Sequence, residues 1–491
     1  MSRRCAVRPK WSSSASVRKI SISRRSITLR LSIDRRTVVV PAGMGGKARR
    51  MTRYLNTTDP DYDDQRLGYN LAVEHKPEII VPAEHAAHVV DAVRHATDRG
   101  LGVAVLATGH GPSRPADGQL LINTSRMDGI TIDPVGRWAR VEAGVRGGAL
   151  TQAAAVHGLA PLAGSSPEVG VVSFHLGGGL GVLGRSLGWA VDHVRAIEVV
   201  TADGVLRRST ATSEPDLFWA LRGGGRGTLG VVVAIEIDLH PITRLYGGGM
   251  HFPADLADRV LSTWAEWTAT VPEEMASSVL LIRMPDLPAL PEELRGRYVA
   301  HLRFAFTGSV ADGQRLVAPF RALGPITDTV TEMPYPQLGT IHAEPTAPVA
   351  FHARNRVLHT FDVAAARALL QHAGPAAEAP YLVELRHTGG ALGRAGAVPS
   401  ALGRRDGEFV LYAGGAASTS EAPRLRAAYK RLFEEMAPWG TGGVCVNFLS
   451  GPDVSAAELA SGYRPEDVLR LEAIKRAVDP DNVFRTHHGL A

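Results

Sequence analysis

The chain has 491 residues and a formal net charge of +5 at pH 7, but this charge is unevenly distributed. Residues 1–50 hold 14 Lys and Arg and one acid, Asp34, so the rest of the chain is acidic, with 40 basic and 48 acidic residues. This distribution excludes a basic body that binds nucleic acid, and no apolar run approaches the roughly 20 residues of a membrane span.

Residues 1–50 differ from the rest of the chain, with nine serines, basic pairs and no helical or strand period. Three interpretations stay open: a disordered basic tail, an export signal, or upstream sequence from a mis-assigned start, with Met44 and Met51 as alternative starts. Residues 24–25 resemble a twin-arginine signal, but residues 34–36 interrupt the apolar stretch that should follow. We therefore predict a cytoplasmic protein, with export and a nucleic-acid-binding arm as alternatives for this segment.

Between residues 74 and 240 the apolar pattern predicts short strands that alternate with helices, which is typical of layered α and β architectures. Val231 begins a strand in which apolar and polar residues alternate, so one of its faces is expected to be wet. The predicted strands cover residues 79–81, 102–106, 120–122, 129–132, 139–142 and 231–239. The predicted helices cover residues 85–99 and 148–157.

Residues 242–440 change character, since they are richer in proline, poorer in glycine loops and carry longer helical patterns. These helices are predicted over 256–269, 364–372 and 422–436. From residue 443 the pattern predicts a strand and then a helix over 465–478. The change and the return indicate a discontinuous first domain, at 51–240 and 441–491, with a second domain inserted at 241–440.

Four glycine-rich segments stand out, at residues 108–113, 164–170, 177–181 and 223–227. Glycine lets backbone amides approach a ligand closely, and consecutive amides suit phosphate oxygens. One such segment is usually only a turn, but four of them beside apolar strands favour a phosphate-containing ligand. Two windows, which start at Gly179 and Gly225, match the dinucleotide fingerprint by letter, yet neither lies between a strand and a long helix, so a Rossmann domain is not expected.

These segments together resemble the FAD-linked oxidases of the vanillyl-alcohol oxidase and p-cresol methylhydroxylase fold, in the berberine-bridge-enzyme-like branch. Residues 105–111 are similar to the family's strand and pyrophosphate loop, and residues 164–181 to its second flavin loop. Residues 222–230 are similar to its glycine-rich strand entry. Residues 475–484, KRAVDPDNVF, are similar to its C-terminal signature and are the most specific part of the resemblance.

The resemblance implies an α+β fold: a discontinuous, two-part FAD-binding domain of the p-cresol methylhydroxylase type with an inserted α+β substrate domain. It implies FAD as cofactor, joined covalently to the protein through His110, the histidine of the first glycine segment. The positions that match the family's FAD contacts are Thr108, Gly109, His110, Gly111, Pro112, Ser113, Gly164, Ser165, Ser166, Val169, Gly170, Gly178, Gly179, Gly181, Gly230, Val232 and Asn447.

The sequence departs from the family at three places. Some members carry a second flavin link through a cysteine where this chain has Ser166, so we expect a single link. Many members have a tyrosine two residues before Asn447 as general base, and here that residue is Cys445. The plant enzymes use a glutamate after a Gly-Gly turn, whereas residues 394–397 here contain no acid.

Candidates for the general base therefore come from the inserted domain. In a strand over residues 381–387, Tyr381 and His387 share one face, opposite Glu384, and we predict that they face the flavin together. The alternative is that both only pack against the sheet, and Cys445 is expected to be a buried neutral thiol. No metal site is predicted, because neither the 85/88 nor the 487/488 histidine pair has a third ligand at metal spacing.

The sequence thus predicts an FAD-dependent oxidoreductase that takes a hydride from a C–H bond next to oxygen or nitrogen of a small organic substrate. Such substrates include sugars, alcohols, amines and natural-product intermediates, and O2 is the expected acceptor. The alternative is a flavin-binding protein that has lost or altered its catalysis, as the cysteine at position 445 suggests. The two hypotheses differ in whether a substrate reduces the bound flavin.

Overall fold

The computed structural model describes residues 51–111, 114–377, 382–416 and 421–485. Its first layer is a small parallel sheet with strand order β1-β3-β2, which packs against one helix. The strands are β1 (Ile79–Pro82), β2 (Val103–Leu106) and β3 (Leu120–Asn123). The helices are α1 (Tyr62–Arg66) and α2 (Ala86–Asp98). Because α2 buries Val89 and Val93 against these strands, the sheet fixes the loop that follows β2.

The second layer is an antiparallel five-stranded sheet with strand order β4-β5-β8-β6-β7. Its strands are β4 (Ile130–Asp133), β5 (Trp138–Glu142), β6 (Val194–Val200), β7 (Leu206–Ser209) and β8 (Val231–Asp238). The helices between them are α3 (Gly147–Ala155), α4 (Val171–Leu176), α5 (Gly184–Leu187) and α6 (Pro215–Gly224). Three of the glycine-rich segments, 164–170, 177–181 and 223–227, lie around α4 and at the end of α6.

The third layer is an eight-stranded sheet with the path β12-β9-β11-β10-β15-β16-β14, to which β13 adds beside β9. Its strands are β9 (Arg244–Pro253), β10 (Met275–Arg283), β11 (Tyr298–Phe306), β12 (Thr327–Asp328), β13 (Thr331–Pro334), β14 (Phe351–Leu358), β15 (Leu382–His387) and β16 (Phe409–Ala416). Four helices, α7 (Ala257–Thr268), α8 (Val310–Arg321), α9 (Val363–Ala373) and α10 (Ala422–Glu435), bury one face of this sheet. We call the opposite face, which carries Ser278, Arg303 and Glu384, the open face.

The C-terminal part, with α11 (Ala456–Ala460) and α12 (Pro465–Val478), returns to the first two layers. The Tyr463 hydroxyl donates to Gly223 O at 3.0 Å, and Lys475 Nζ donates to Thr228 O at 2.9 Å. The Val103 amide of β2 donates to Val483 O at 2.8 Å. These contacts join the C-terminal part to the first two layers, and the predicted domain bounds stay a prediction.

The strand predicted from residue 443 is wrong. The chain there forms a short 3-10 turn, Val446–Phe448. The side chain of Asn355 takes both backbone groups of Cys445, since its Nδ2 donates to Cys445 O at 2.9 Å and its Oδ1 accepts from Cys445 N at 2.6 Å. With these groups bound by a side chain, no ladder to a neighbouring strand forms.

The other predicted elements agree with the structure to within a few residues. The structure gives no Rossmann unit at the two fingerprint windows, because Gly184 opens a helix of only 4 residues and Gly230 leads into β8. Within the described ranges, no helix is long and apolar enough to cross a bilayer, and no cluster of metal-ligating side chains occurs. Residues 1–50, Pro112, Ser113, Tyr381 and 486–491 lie outside the described residues, so predictions for them stay predictions.

Candidate active site

The first glycine segment follows β2 and packs directly against the backbone of residues 68–70. The Tyr69 amide donates to Thr108 O at 2.9 Å, and the Asn70 amide donates to Gly109 O at 3.2 Å. Gly109 has a φ of +74°, and a Cβ there would lie 2.5 Å from Gly68 Cα and 2.7 Å from Tyr69 N. Only glycine permits both the backbone conformation and this close approach.

We expect Gly109→Ala to weaken flavin retention and to destabilise the protein, because it adds backbone strain of about 1–3 kcal/mol and a clash with residues 68–69. Gly100→Ala is the matched control, since Gly100 has a φ of +67° with nothing within 4 Å of its Cβ position. Flavin content per protein and the urea midpoint measure the effect. Equal losses in the two variants would show that the close approach contributes nothing.

His110 lies in this loop with one ring nitrogen unused by the protein. Its ring stacks on Tyr69 with centroids 3.8 Å apart and an interplanar angle of 12°. Its Nδ1 lies 3.0 Å from Thr108 Oγ1, and its buried Nε2 has no hydrogen-bond partner among the described residues. Burial, with a smaller effect of Arg146, lowers the pKa of His110 to about 4. The imidazole is therefore neutral at physiological pH.

Residues 164–181, which contain two of the four glycine-rich segments and are from here on called the second glycine segment, pass beside the first. A Cβ at Gly170, where α4 begins, would lie 3.5 Å from Thr108 Cγ2. Gly178 and Gly179 have φ of +108° and +73°, so the turn after α4 needs glycine at both positions. The structure thus brings Thr108 of the first segment next to Gly170 of the second.

Arg226 lies between these two segments, and it is not among the site residues predicted from the sequence. Its Nη1 donates to Val446 O at 3.1 Å, while Nη2 lies where a side chain at Gly111 would go. A Cβ at Gly177 would lie 2.8 Å from Arg226 Cδ. Burial lowers the pKa of Arg226 to about 10, so the group stays cationic at neutral pH. The available signal was an arginine inside the 223–227 glycine run.

Asn447 lies on the other side of the second segment. Its Nδ2 donates to Phe174 O at 2.9 Å, and its buried Oδ1 has no partner among the described residues. Gly177 packs against that oxygen, so a larger residue would displace the amide. The hydrogen bond to Phe174 of α4 therefore fixes Asn447, while its Oδ1 still has an unused acceptor.

The remaining predicted contacts divide into two groups. Ser165, in the second glycine segment, reaches the open face of the eight-stranded sheet, where Arg386 Nη2 donates to its Oγ at 3.2 Å. Ser166 Oγ accepts from the Glu168 amide at 3.3 Å and holds the turn. Gly230 and Val232, by contrast, pack within the five-stranded sheet against β6. The sheet core, rather than the segments around His110, holds these last two residues.

A buried charge network lies on the open face. Arg303 Nη1 donates to Glu384 Oε1 and Arg386 Nη2 to Glu384 Oε2, each at 3.0 Å. Burial raises the pKa of Glu384, but Arg386 and Arg303 outweigh it and hold this pKa well below its usual range. Arg303 also donates to Nδ1 of His301 and of His342, each at 3.2 Å, and burial lowers the pKa of both histidines. Both imidazoles are neutral with Nδ1 occupied.

Residues of β15 alternate as expected, with Glu384 and Arg386 on the open face. His387, at the end of the strand, packs on the helix-covered side and also lines the pocket described below, so its predicted role stays a prediction. The His387 ring stacks on Phe409 at 5.3 Å, and Arg185 Nη1 lies 2.7 Å from its Nε2. Burial lowers the pKa of His387 to about 3, so it is neutral, and an arginine occupies its basic nitrogen.

A pocket lies between the second glycine segment and the open face, with an empty volume of about 420 Å³. One wall consists of Leu180, Gly181 and Arg185. The other wall includes Ser278 and Arg386 from the sheet. Cys445, at the family's tyrosine position, is buried nearby, and burial raises the pKa of its thiol to about 11. The thiol is therefore uncharged.

Two family models match the chain. One, described as an FAD binding domain, matches residues 77–210, and the other, described as berberine and berberine like, matches residues 460–491. The first covers the loop with His110 and the second glycine segment. The second covers the C-terminal signature and α12.

Relatives with known names match over most of their length. (R)-6-Hydroxynicotine oxidase of Paenarthrobacter nicotinovorans is 27% identical, over 84% of this chain and 91% of that enzyme. An FAD-linked oxidoreductase of Bacillus subtilis, YgaK, is 25% identical, over 90% of this chain and 98% of that protein. The crystal structure of 6-hydroxy-D-nicotine oxidase from Arthrobacter nicotinovorans superposes with a TM-score of 0.77 at 25% identity, covering 90% of this chain and 98% of that one.

These matches confirm the resemblance drawn from the glycine segments and the C-terminal signature, and they confirm the α+β fold class. They also confirm FAD as the cofactor. The residues around His110 fit such a group, since buried atoms of His110 and Asn447 have no partner among the described residues and the cation of Arg226 lies between the glycine turns.

Proposed function

We propose, from the premise that this chain is an FAD-dependent oxidoreductase, that it oxidises a small organic substrate in the pocket between the second glycine segment and the open face, with O2 as electron acceptor. Bound FAD supplies the hydride acceptor, its N5. The observation that carries the proposal is that the unpartnered atoms of His110 and Asn447 lie among the glycine turns, and that Leu180 and Gly181 of these turns line a pocket together with the eight-stranded sheet. The names of the nicotine oxidases support O2 as acceptor.

We propose that His110 holds the flavin through a covalent bond between an imidazole nitrogen and the 8α-methyl carbon. Forming it would break one methyl C–H bond and the imidazole N–H bond; both hydrogens and the two electrons would pass to the flavin ring and from there to O2. Its low pKa supports this role, because only a neutral imidazole offers a lone pair for the bond. Stacking on Tyr69 fixes the plane of the ring, and Thr108 holds one nitrogen, so the other nitrogen is oriented before the flavin arrives. With serine at position 166, no second link forms.

Arg226 and the glycine turns are proposed to bind the cofactor's pyrophosphate and to orient it. The guanidinium group is a fixed cation, anchored by one hydrogen bond to Val446 O, beside backbone turns that expose amide groups. The amide oxygen of Asn447 is an acceptor for an N–H of the flavin ring. Because α4 holds Asn447, binding of the cofactor costs little further ordering of these residues.

Proton removal from the substrate does not fall to His387 in this proposal, because Arg185 already occupies its Nε2. His342 is excluded as a base for the same reason, since its Nδ1 accepts from Arg303. Tyr381 stays a predicted base, outside the described residues. The arginines on the open face stabilise negative charge on the bound substrate.

We expect at least one member of a panel of sugars, alcohols, amines and hydroxy acids to bleach the visible flavin band under anaerobic mixing. Admission of air is expected to restore the band and to form hydrogen peroxide. Free FAD with the same panel is the control. Protein that stays colourless after reconstitution with FAD contradicts the proposal, and a flavin band that no compound bleaches supports the alternative of a flavin-binding protein without catalysis.

A further inference from the structure

The open face carries a row of hydrogen-bond donors across three neighbouring strands. In the sheet register Ser278 of β10 pairs with Arg303 of β11 on one side and with Arg386 of β15 on the other. Paired residues of antiparallel strands point to the same face, so the three side chains lie side by side. All three line the pocket. We call Arg303, Ser278 and Arg386 the donor row.

Two donors of this row have no partner among the described residues. Ser278 Oγ is buried, with the residue only 4% exposed, and Arg386 Nε is also buried. A buried donor without an acceptor costs free energy, so native proteins seldom leave one without a function. Other nitrogens of the two arginines have protein partners, among them Glu384, His301 and Ser165. The two unpartnered atoms therefore mark where an acceptor of a ligand belongs.

The charge around the row is positive. Three arginines, Arg185, Arg303 and Arg386, line the pocket, and no acidic side chain lines it within the described part of the chain. Glu384 lies on the same face of the sheet, and each of its two oxygens accepts a hydrogen bond from one arginine of the row. Glu344 is more exposed and lies 3.9 Å from Arg386. These acids offset part of the charge, but the three arginines of the pocket surface can act only as donors.

We propose that the donor row binds a carboxylate of the substrate, so that the enzyme oxidises an organic acid rather than a cationic amine. This inference rests on the proposed function, in which the flavin binds at the glycine segments, and Arg386 contacts Ser165 of the second of these. A carboxylate offers acceptors to both unpartnered donors at once. An ammonium group brings a like charge next to three arginines, and among the side chains of the row only the Ser278 hydroxyl could accept a hydrogen bond from it.

Binding of three size-matched probes to the flavin-containing enzyme tests the inference. Benzoate, benzamide and benzylamine are titrated at constant ionic strength, and the change in the visible flavin spectrum gives each Kd. Benzoate is expected to bind about tenfold or more tightly than benzamide, because charge-assisted hydrogen bonds are the stronger ones, and benzylamine is expected to bind most weakly. Equal or tighter binding of either benzamide or benzylamine, or no saturable benzoate signal, would overturn the inference.

Two variants assign the effect to the row. Ser278→Ala removes only the unpartnered hydroxyl and is expected to weaken benzoate binding about tenfold, with benzamide binding nearly unchanged. Arg386→Met is expected to abolish the preference for benzoate. Ser461→Ala and Arg283→Met are the controls, since their side chains bond to backbone carbonyls away from the pocket. Unchanged benzoate binding in Ser278→Ala contradicts the assignment even if Arg386→Met fails to fold.

Flavin content separates this inference from the proposed function. Wild-type protein without flavin would overturn the proposed function itself, and no probe titration would then be possible. Wild-type protein with flavin but without a preference for benzoate would overturn only the inference. Loss of flavin from folded Ser278→Ala or Arg386→Met would assign the donor row to the cofactor and would equally overturn the inference.

Discussion

Replacement of His110 with alanine is expected to turn an acid-stable yellow protein into one that releases all of its flavin on acid precipitation. In the wild type the proposed covalent bond survives loss of the fold, so the colour stays in the pellet. The variant keeps Tyr69, Arg226 and the glycine turns, so it still binds FAD before precipitation, but only through contacts that the fold maintains. Flavin absorbance in pellet and supernatant measures the change.

His157→Ala is the matched control, because His157 is exposed at the end of α3, away from the glycine segments. It is expected to keep its flavin in the acid pellet. A wild-type pellet without colour would show that no covalent link forms, and a yellow pellet of His110→Ala would assign the link to another residue. Either result leaves FAD as the cofactor, since the family matches support it independently of the bond.

The glycine segments were predictable from sequence because backbone chemistry dictates them. Gly109 has a positive φ and touches the backbone of Gly68, and such a position accepts essentially one residue type. The arrangement of these segments in space was not predictable from the same signal. Arg226 became visible only when the structure brought Gly111, Gly177 and Val446 together around it, because it is far in sequence from all three.

The faces of β15 show a limit of a different kind. A period of two fixes which residues share a face, and the structure keeps that alternation. It does not say which face meets the helices, because His387 and Glu384 are both polar and both become buried. The answer depends on α7 and α9, whose apolar residues cover Val383 and Leu385, and therefore on packing between distant segments.

The prediction of a strand from residue 443 is wrong for a related reason. Alternating apolar residues around Cys445 favour a strand, but a strand also needs a neighbour to satisfy its backbone groups. Here the side chain of Asn355, fully buried in β14, binds both backbone groups of Cys445 instead. A single side chain 90 residues away thus replaces the ladder, and no local pattern reports it.

We expect Glu384→Gln to destabilise the protein by about 3–5 kcal/mol at neutral pH, because it leaves Arg303 and Arg386 buried without their counter-charge. Glutamine keeps the shape of the side chain and one acceptor oxygen, so the loss reports the charge rather than a cavity. The urea midpoint of unfolding measures it. Glu332→Gln is the control, since Glu332 pairs with Arg244 at an exposed position and is expected to leave the midpoint unchanged.

The pH dependence of this difference provides a second test. The pKa of Glu384 is lowered in the folded state, so its carboxylate stabilises the protein at pH values above the pKa of the unfolded chain, about 4.3. As the pH falls below that value the unfolded chain takes up a proton that the folded chain does not, and the stabilisation declines. The advantage of wild type over Glu384→Gln should therefore be constant near neutrality and shrink in acid. A difference that grows in acid would mean that Glu384 is protonated in the folded protein, and the donor row would then carry a higher positive charge than the hydrogen bonds to Arg303 and Arg386 indicate.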